Sequence, residues 1–130
     1  MVAVVTGATG HVGVNLVRAL RDAGRPVVAV DLREPKGVIG LGARWVEADV
    51  RDRAAMRSAL DGAEVVFHLA AVISVVGSMS GLVESVNVTG VAATALAALD
   101  VGVPRFVHCS SVHAFDLEAC RGGPVTEQSP

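Results

Sequence analysis

Three glycines at intervals of three, Gly7, Gly10 and Gly13, directly follow the β-branched run Val4, Val5, Thr6. Asp31 lies 24 residues beyond Gly7 and 18 beyond Gly13, at the end of a second apolar run. Glycine turns without a Cβ penalty and lets a backbone approach a ligand closely. A glycine loop between a strand and a helix, with an acid about 20 residues on, sets amides against a pyrophosphate and a carboxylate against the adjoining ribose. The chemistry these residues point to is therefore dinucleotide binding. A carboxylate at Asp31 accepts hydrogen bonds from both ribose hydroxyls and repels a 2′-phosphate, which favours NAD over NADP. Arg33 argues the other way, because a guanidinium there could grip a 2′-phosphate. An ordinary glycine turn and a strand-ending aspartate are the plain alternatives, and it is their separation that weighs against both.

The elements that must hold these residues follow from periodicity. Val2–Thr6 is a short apolar run ended by Gly7, as a buried strand requires. From His11 to Ala23 the apolar residues Val12, Leu16, Ala19, Leu20 and Ala23 share one helical face, closed by Gly24. Val27–Asp31, Trp45–Glu47, Val65–Leu69 and Phe106–Cys109 read as further strands. Asp52 caps a helix closed by Gly62, and a long helix runs roughly from Leu82 to Leu99, ended by Gly102. Short strands alternating with helices imply right-handed crossovers and a parallel sheet. The expected fold class is α/β: a doubly wound parallel sheet of strand order 3-2-1-4-5, with residues 1–130 forming one dinucleotide-binding domain.

Composition narrows the class. The chain has 130 residues, of which 52% are hydrophobic and only 3% aromatic, as suits Val-rich strands buried on both faces. A net charge of −2 gives no electrostatic grip on nucleic acid. Residues 69–99 carry one charged side chain, Glu84, but Gly77, Ser78, Ser80 and Gly81 break the run, and Glu84 and Asn87 would fall mid-span. A strand end, a polar loop and a buried helix account for it better than a membrane span. Residues 2–17 lack the basic flank of a signal peptide. The two cysteines, Cys109 and Cys120, have neither metal nor disulfide spacing, which implies a reduced, cytoplasmic setting. Cys109, in a predicted central strand, reads as a buried and inert thiol. His11, His68, His108 and His113 show no zinc spacing, and no metal is expected. Ser111, His113 and Asp116 contain the residue types of a hydrolytic triad, but no G-x-S-x-G elbow surrounds Ser111.

The motifs TGATGHVG, ADVRD at 48–52, VFHLAA at 66–71, VNVTG at 86–90 and RFVHCSSVHAF at 105–115 occur in this order. Together they resemble the extended short-chain dehydrogenase/reductase superfamily, the NAD-dependent epimerase/dehydratase group, whose loop is TGxxGxxG. HLAAVIS, VNVTG and VHCSSVHAF are most similar to its dihydroflavonol-reductase-like and 3β-hydroxysteroid-dehydrogenase-like branch. The resemblance implies a Rossmann fold in which Gly7 and Gly10 shape the loop and the amides of His11 and Val12 contact the pyrophosphate. It implies that Asp31 and Leu32 hold the adenosine ribose, and that Asp49 and Val50 line the adenine, with Asp49 accepting from the exocyclic amine. Leu69, Ala70 and Ala71 would pass under the nicotinamide-side ribose, and Asn87 would tie backbone and water near the nicotinamide. Ser111, with Ser110 as the near alternative, falls on the catalytic serine.

In that family a tyrosine and a lysine in a YxxxK motif complete the chemistry. This sequence has no tyrosine, and its lone lysine, Lys36, sits in the loop after the second strand. The expectation is a chain truncated after the fifth strand, ahead of the YxxxK helix and the substrate-binding region, and catalytically incomplete as it stands. Three readings follow: the cofactor half of an NAD-dependent oxidoreductase or epimerase acting on a carbonyl or hydroxyl substrate, a non-catalytic redox-sensing dinucleotide module, or a remnant without retained function. A homo-oligomer is expected from the Val- and Ala-rich long helix, which would present an apolar surface.

Overall fold

Alternation within each strand explains how this sheet is built. The computed structural model describes residues 2–33, 36–73 and 81–130. Among them, β1 (Ala3–Thr6), β2 (Val27–Asp31), β3 (Arg44–Glu47), β4 (Val65–His68) and β5 (Arg105–His108) form one parallel sheet in the order β3-β2-β1-β4-β5. Successive side chains point to opposite faces. Val4, Val28, Val30 and Val66 therefore fall on one face, in a core with Met56, Ala59, Leu60, Ala97 and Ala98. Val5, Val27 and Ala29 fall on the other, with Val17 and Val38. Both faces of β1 and β2 are buried, so these strands read as unbroken apolar runs.

Helix α1 (His11–Asp22) and the single turn α2 (Lys36–Ile39) supply the second of these cores. Lys36 thus opens a helical turn rather than lying in a plain loop. Helix α3 (Arg53–Leu60) starts where expected: the Asp52 carboxylate accepts from the amides of Ala54 and Ala55 at 2.9 and 3.0 Å. The long helix α4 runs from Leu82 to Asp100 and is, by length and composition, apolar enough to cross a membrane. Here Thr94, Ala97 and Ala98 are buried, packed between α3 and the sheet. Its second and third turns, Ser85–Gly90, are π-helical. The polar break at Gly77, Ser78 and Ser80 lies outside the described residues.

β3 and β5 are the sheet edges. Cys109 follows β5 and is exposed, which corrects its reading as a buried thiol. The strand ends one residue earlier than its pattern suggests, and an edge has no neighbouring strand to cover the residues beyond its end.

Candidate functional site

The loop between β1 and α1 reaches the carboxyl edge of the sheet, where open α/β folds bind ligands. Gly7 sits at φ +66°, and a Cβ there would stand 2.7 Å from the Ala70 amide nitrogen. No side chain fits, so the β1 loop and the turn after β4 lie backbone against backbone. Gly13 is held as tightly: its added Cβ would collide with the Gly7 carbonyl oxygen and lie 2.8 Å from Ala8 Cα. The first helical bond of α1 runs from the Val14 amide to the Gly10 carbonyl at 3.0 Å, and no side chain caps this end. The amides of His11 and Val12 therefore stand at a helix start without intrahelical acceptors, at the positive end of the helix dipole.

Next to this loop is a cavity of about 430 Å³. Gly7, Gly10, Asp31, Leu32, Asp49, Val50, Leu69, Ala70 and Ala71 line it, joined by Thr9, Arg33, Arg51, Val72 and the helix residues Leu82 and Val86. Nine of the residues singled out from sequence thus converge on one space. His11 and Val12 lie at the adjoining helix start, while Asn87 and Ser111 stand apart from the lining.

The two carboxylates are already engaged. Asp31 Oδ2 accepts from the Thr9 amide at 2.9 Å and the Thr9 hydroxyl at 2.8 Å, and Oδ1 accepts from the Leu32 amide at 2.8 Å. A carboxylate has about four acceptor positions, so Asp31 in this arrangement retains about one. Asp49 is turned onto Arg51: its oxygens accept from the Arg51 amide at 2.9 Å and from the guanidinium at 2.6–3.1 Å. The guanidinium's hydrogen bonds hold the Asp49 carboxyl below its usual pKa, against a smaller opposing effect of burial. Arg51 also donates to Ser85 Oγ at 3.2 Å, spanning to α4. An amine approaching Asp49 has to displace Arg51.

Two further residues show their roles in the backbone. Asn87, in the π-helical segment, clamps Val72 from both sides: Oδ1 accepts from the Val72 amide at 2.8 Å and Nδ2 donates to its carbonyl at 2.9 Å. Ser111 caps the 3₁₀ turn Val112–Ala114, accepting from the His113 amide at 3.3 Å, and its Oγ lies 3.2 Å from His113 Nδ1. Asp116 does not orient His113. Its Oδ1 accepts instead from the amides of Glu118 and Ala119, both at 3.1 Å. The hydrolytic triad is absent among the described residues, as is any group of three His, Cys, Asp or Glu side chains placed to hold a metal ion.

The family model described as the NAD dependent epimerase/dehydratase family matches residues 3–130. The chain belongs to that family. Among its relatives, sterol demethylase protein B of Methylococcus capsulatus is 40% identical over 119 residues, which cover 90% of this chain and 36% of that protein. The 3beta-hydroxysteroid-dehydrogenase/decarboxylase isoform 2 of Arabidopsis thaliana is 38% identical over 122 residues, covering 83% of this chain and 22% of the relative. A short-chain dehydrogenase/reductase superfamily protein from Agrobacterium tumefaciens, solved with bound NAD, superposes with a TM-score of 0.87 at 35% identity. That match covers 100% of this chain and 38% of the other. This member of the epimerase/dehydratase family thus spans less than two fifths of the length of each.

Thr9, Arg51 and Thr6 are the residues that sequence reasoning missed. Thr9 stands inside the glycine loop, and only its bond to a residue 22 positions away reveals a purpose. Thr6 Oγ1 accepts from the amides of Leu69 and Ala70 at 3.3 and 3.4 Å, so the last side chain of β1 supports the turn that crosses the cavity.

Proposed function

We propose that this chain is the NAD-binding domain of an NAD-dependent oxidoreductase or epimerase that acts on a carbonyl or hydroxyl substrate. The observation that carries the reading is the approach of Gly7 to the Ala70 amide, which leaves a side-chain-free cradle between a helix start and Asp31. The residues fit the cofactor. The amides of His11 and Val12 would take the pyrophosphate, which the helix dipole favours. Asp31, with the one acceptor position that Thr9 and Leu32 leave, would take a ribose hydroxyl. Its charge would repel a 2′-phosphate, whereas Arg33 on the same cavity would attract one. Leu69, Ala70 and Ala71 supply the floor, and the Asn87 clamp fixes the direction in which the chain leaves it. When bound, NAD supplies a reversible hydride acceptor. Ser111 would donate a hydrogen bond to the substrate oxygen once its hydroxyl turns from His113. The proton transfer that the family assigns to YxxxK has no counterpart among these 130 residues, because none is tyrosine.

Calorimetric titration tests the reading. NAD is expected to bind the chain more tightly than NADP. Asp31→Ala should weaken NAD roughly tenfold or more, the loss of one charge-assisted hydrogen bond, and should affect NADP less. Asp31→Asn, which keeps the shape and removes the charge, should narrow the preference by raising NADP affinity. Absence of NAD binding, or equal losses for the two cofactors in Asp31→Ala, defeats the assignment.

A further inference from the structure

Beneath the cavity, Thr6, His68 and His108 occupy one row across β1, β4 and β5, as register partners on neighbouring parallel strands. His68 is fully buried. Its Nδ1 lies 3.0 Å from Thr6 Oγ1, and its ring stacks on Phe106 with centroids 5.8 Å apart. Its Nε2 is buried with no partner among the described residues. A buried polar atom left in this way is costly, so its presence needs a reason.

Counting bonds supplies one. A threonine hydroxyl has one proton and two acceptor positions. The amides of Leu69 and Ala70 both reach Thr6 Oγ1, the Leu69 amide dividing its proton between Oγ1 and the Thr6 carbonyl at 3.3 Å each. The hydroxyl proton must then go to His68 Nδ1, which makes the imidazole neutral and protonated at Nε2. In the opposite tautomer the Nδ1 proton would compete with these amides for Oγ1, and the hydroxyl's own proton would be stranded along with Nε2. One orphaned group is cheaper than two.

We propose that Thr6 and His68 are positioning residues for the dinucleotide: His68 orients the Thr6 hydroxyl, and the oriented hydroxyl holds the Leu69–Ala70 turn at the height at which Gly7 fits against it. The inference rests on the NAD reading of the cavity. The gap between Gly7 and Ala70 has no slack, since even one Cβ would come within 2.7 Å of the Ala70 amide. Gly7 in turn accepts the Gly10 amide at 3.0 Å. A shift of the turn by a few tenths of an ångström therefore passes through Gly7 to the loop that opens α1. Without an acceptor at Nδ1, the Thr6 hydroxyl is free to rotate its proton toward the two amides, donor against donor. The alternative role for His68, filling core volume beside Phe106, does not depend on the hydroxyl.

The experiment compares NAD affinity by calorimetry in the whole chain and in Thr6→Ser, Thr6→Val, His68→Asn and His68→Leu, together with the imidazole nitrogen shifts of His68 in the free protein. Asparagine places an acceptor oxygen where Nδ1 stands, and valine keeps the shape of threonine without its hydroxyl. Thr6→Val and His68→Leu should each bind NAD roughly tenfold more weakly, Thr6→Ser should stay within about threefold, and His68→Asn should recover most of the leucine loss. The Thr6→Val/His68→Leu double variant should lose no more than either single one, because the two act as a unit. The His68 spectrum should show the proton on Nε2, and Thr6→Val should move the Leu69 and Ala70 amide resonances. A proton on Nδ1, or full NAD affinity in Thr6→Val, overturns the proposal. If the unmodified chain does not bind NAD, the cofactor reading fails on its own, and the tautomer and the two amide resonances still decide whether the pair holds the turn. Should His68→Leu not fold, the Thr6 variants and the His68 spectrum decide the matter by the same criteria.

Discussion

At the scale of single residues, His68 couples the core to pH. Burial penalises its charged form, and the neighbouring His108, with ring centroids 5.7 Å apart, adds repulsion, so its pKa falls from 6.5 to about 4. The unfolded chain binds a proton near pH 6.5 that the folded chain resists until about pH 4. Between these values the unfolded state holds more protons, so stability rises with pH. The contribution is complete above pH 6.5 and is lost as pH falls through 4, amounting to roughly 3 kcal/mol over that interval. Urea denaturation at closely spaced pH values should show this loss in the unmodified chain, and a shallower slope in His68→Asn. A flat profile between pH 6.5 and 4 would contradict a neutral buried His68. Asp49 and Asp100, whose carboxyl pKa values are lowered by hydrogen bonds from Arg51 and Arg53, act in a separate window below about pH 4. Asp31 was legible in the sequence because its distance from the glycines is fixed by one helix and one strand. The bonds that commit its oxygens to Thr9 were not, since no period links residues 9 and 31. Asp49 carried a clear motif, yet its pairing with Arg51 two residues on is a matter of local rotamers, which spacing does not encode.

At the scale of elements, α4 does more than cover the sheet. Gly90 lets it approach the end of β3 so closely that an added Cβ would lie 2.9 Å from Val50 Cγ2. Thr94 Oγ1 donates to the Val50 carbonyl at 3.2 Å, and Asn87 holds Val72 at both its amide and its carbonyl. One helix thus fixes two of the strand exits that line the cavity. Asn87→Ala removes both bonds to the half-buried Val72 backbone, which should cost about 2 kcal/mol. Chemical denaturation should show that loss with an unchanged m-value, and NAD binding should weaken with it. Wild-type stability in Asn87→Ala would mean that the clamp contributes nothing. The strands, α3 and the extents of α1 and α4 could be read from apolar runs and glycine stops, but α1 turns Gly13 and Val17 to the core and leaves Val12, Ala19 and Ala23 of the expected face exposed. The turn α2 could not, because Lys36–Ile39 is only one turn long and shows no period. The π-helical stretch was equally hidden: Ser85–Gly90 contains no residue type that distinguishes it from α-helix.

At the scale of the molecule, the outer side of α4 remains apolar and exposed. Leu99 is 74% exposed, and Val88 and Leu96 on the same helix are also open to solvent. Leu96 and Leu99, three apart, lie on one helical face. Such a patch is unusual on a soluble monomer and marks a surface that something covers. A second copy of the chain offers the same apolar stripe, and pairing like with like is the commonest symmetric solution. The chain is therefore expected to dimerise or assemble further through α4, at micromolar concentration. Light scattering behind size exclusion should give a mass above 13.3 kDa that falls on dilution. Leu96→Glu with Leu99→Glu should return the monomer while sparing NAD binding, since neither residue lines the cavity. The relatives are more than twice as long as this chain, so a segment like the part of them that lies beyond the match is the competing cover. If the 130-residue chain stays monomeric across a hundredfold concentration range, the patch does not pair with itself. If the paired chain survives both glutamates unchanged, the contact lies elsewhere, and the β5 edge, with its open hydrogen-bonding groups, becomes the surface to block.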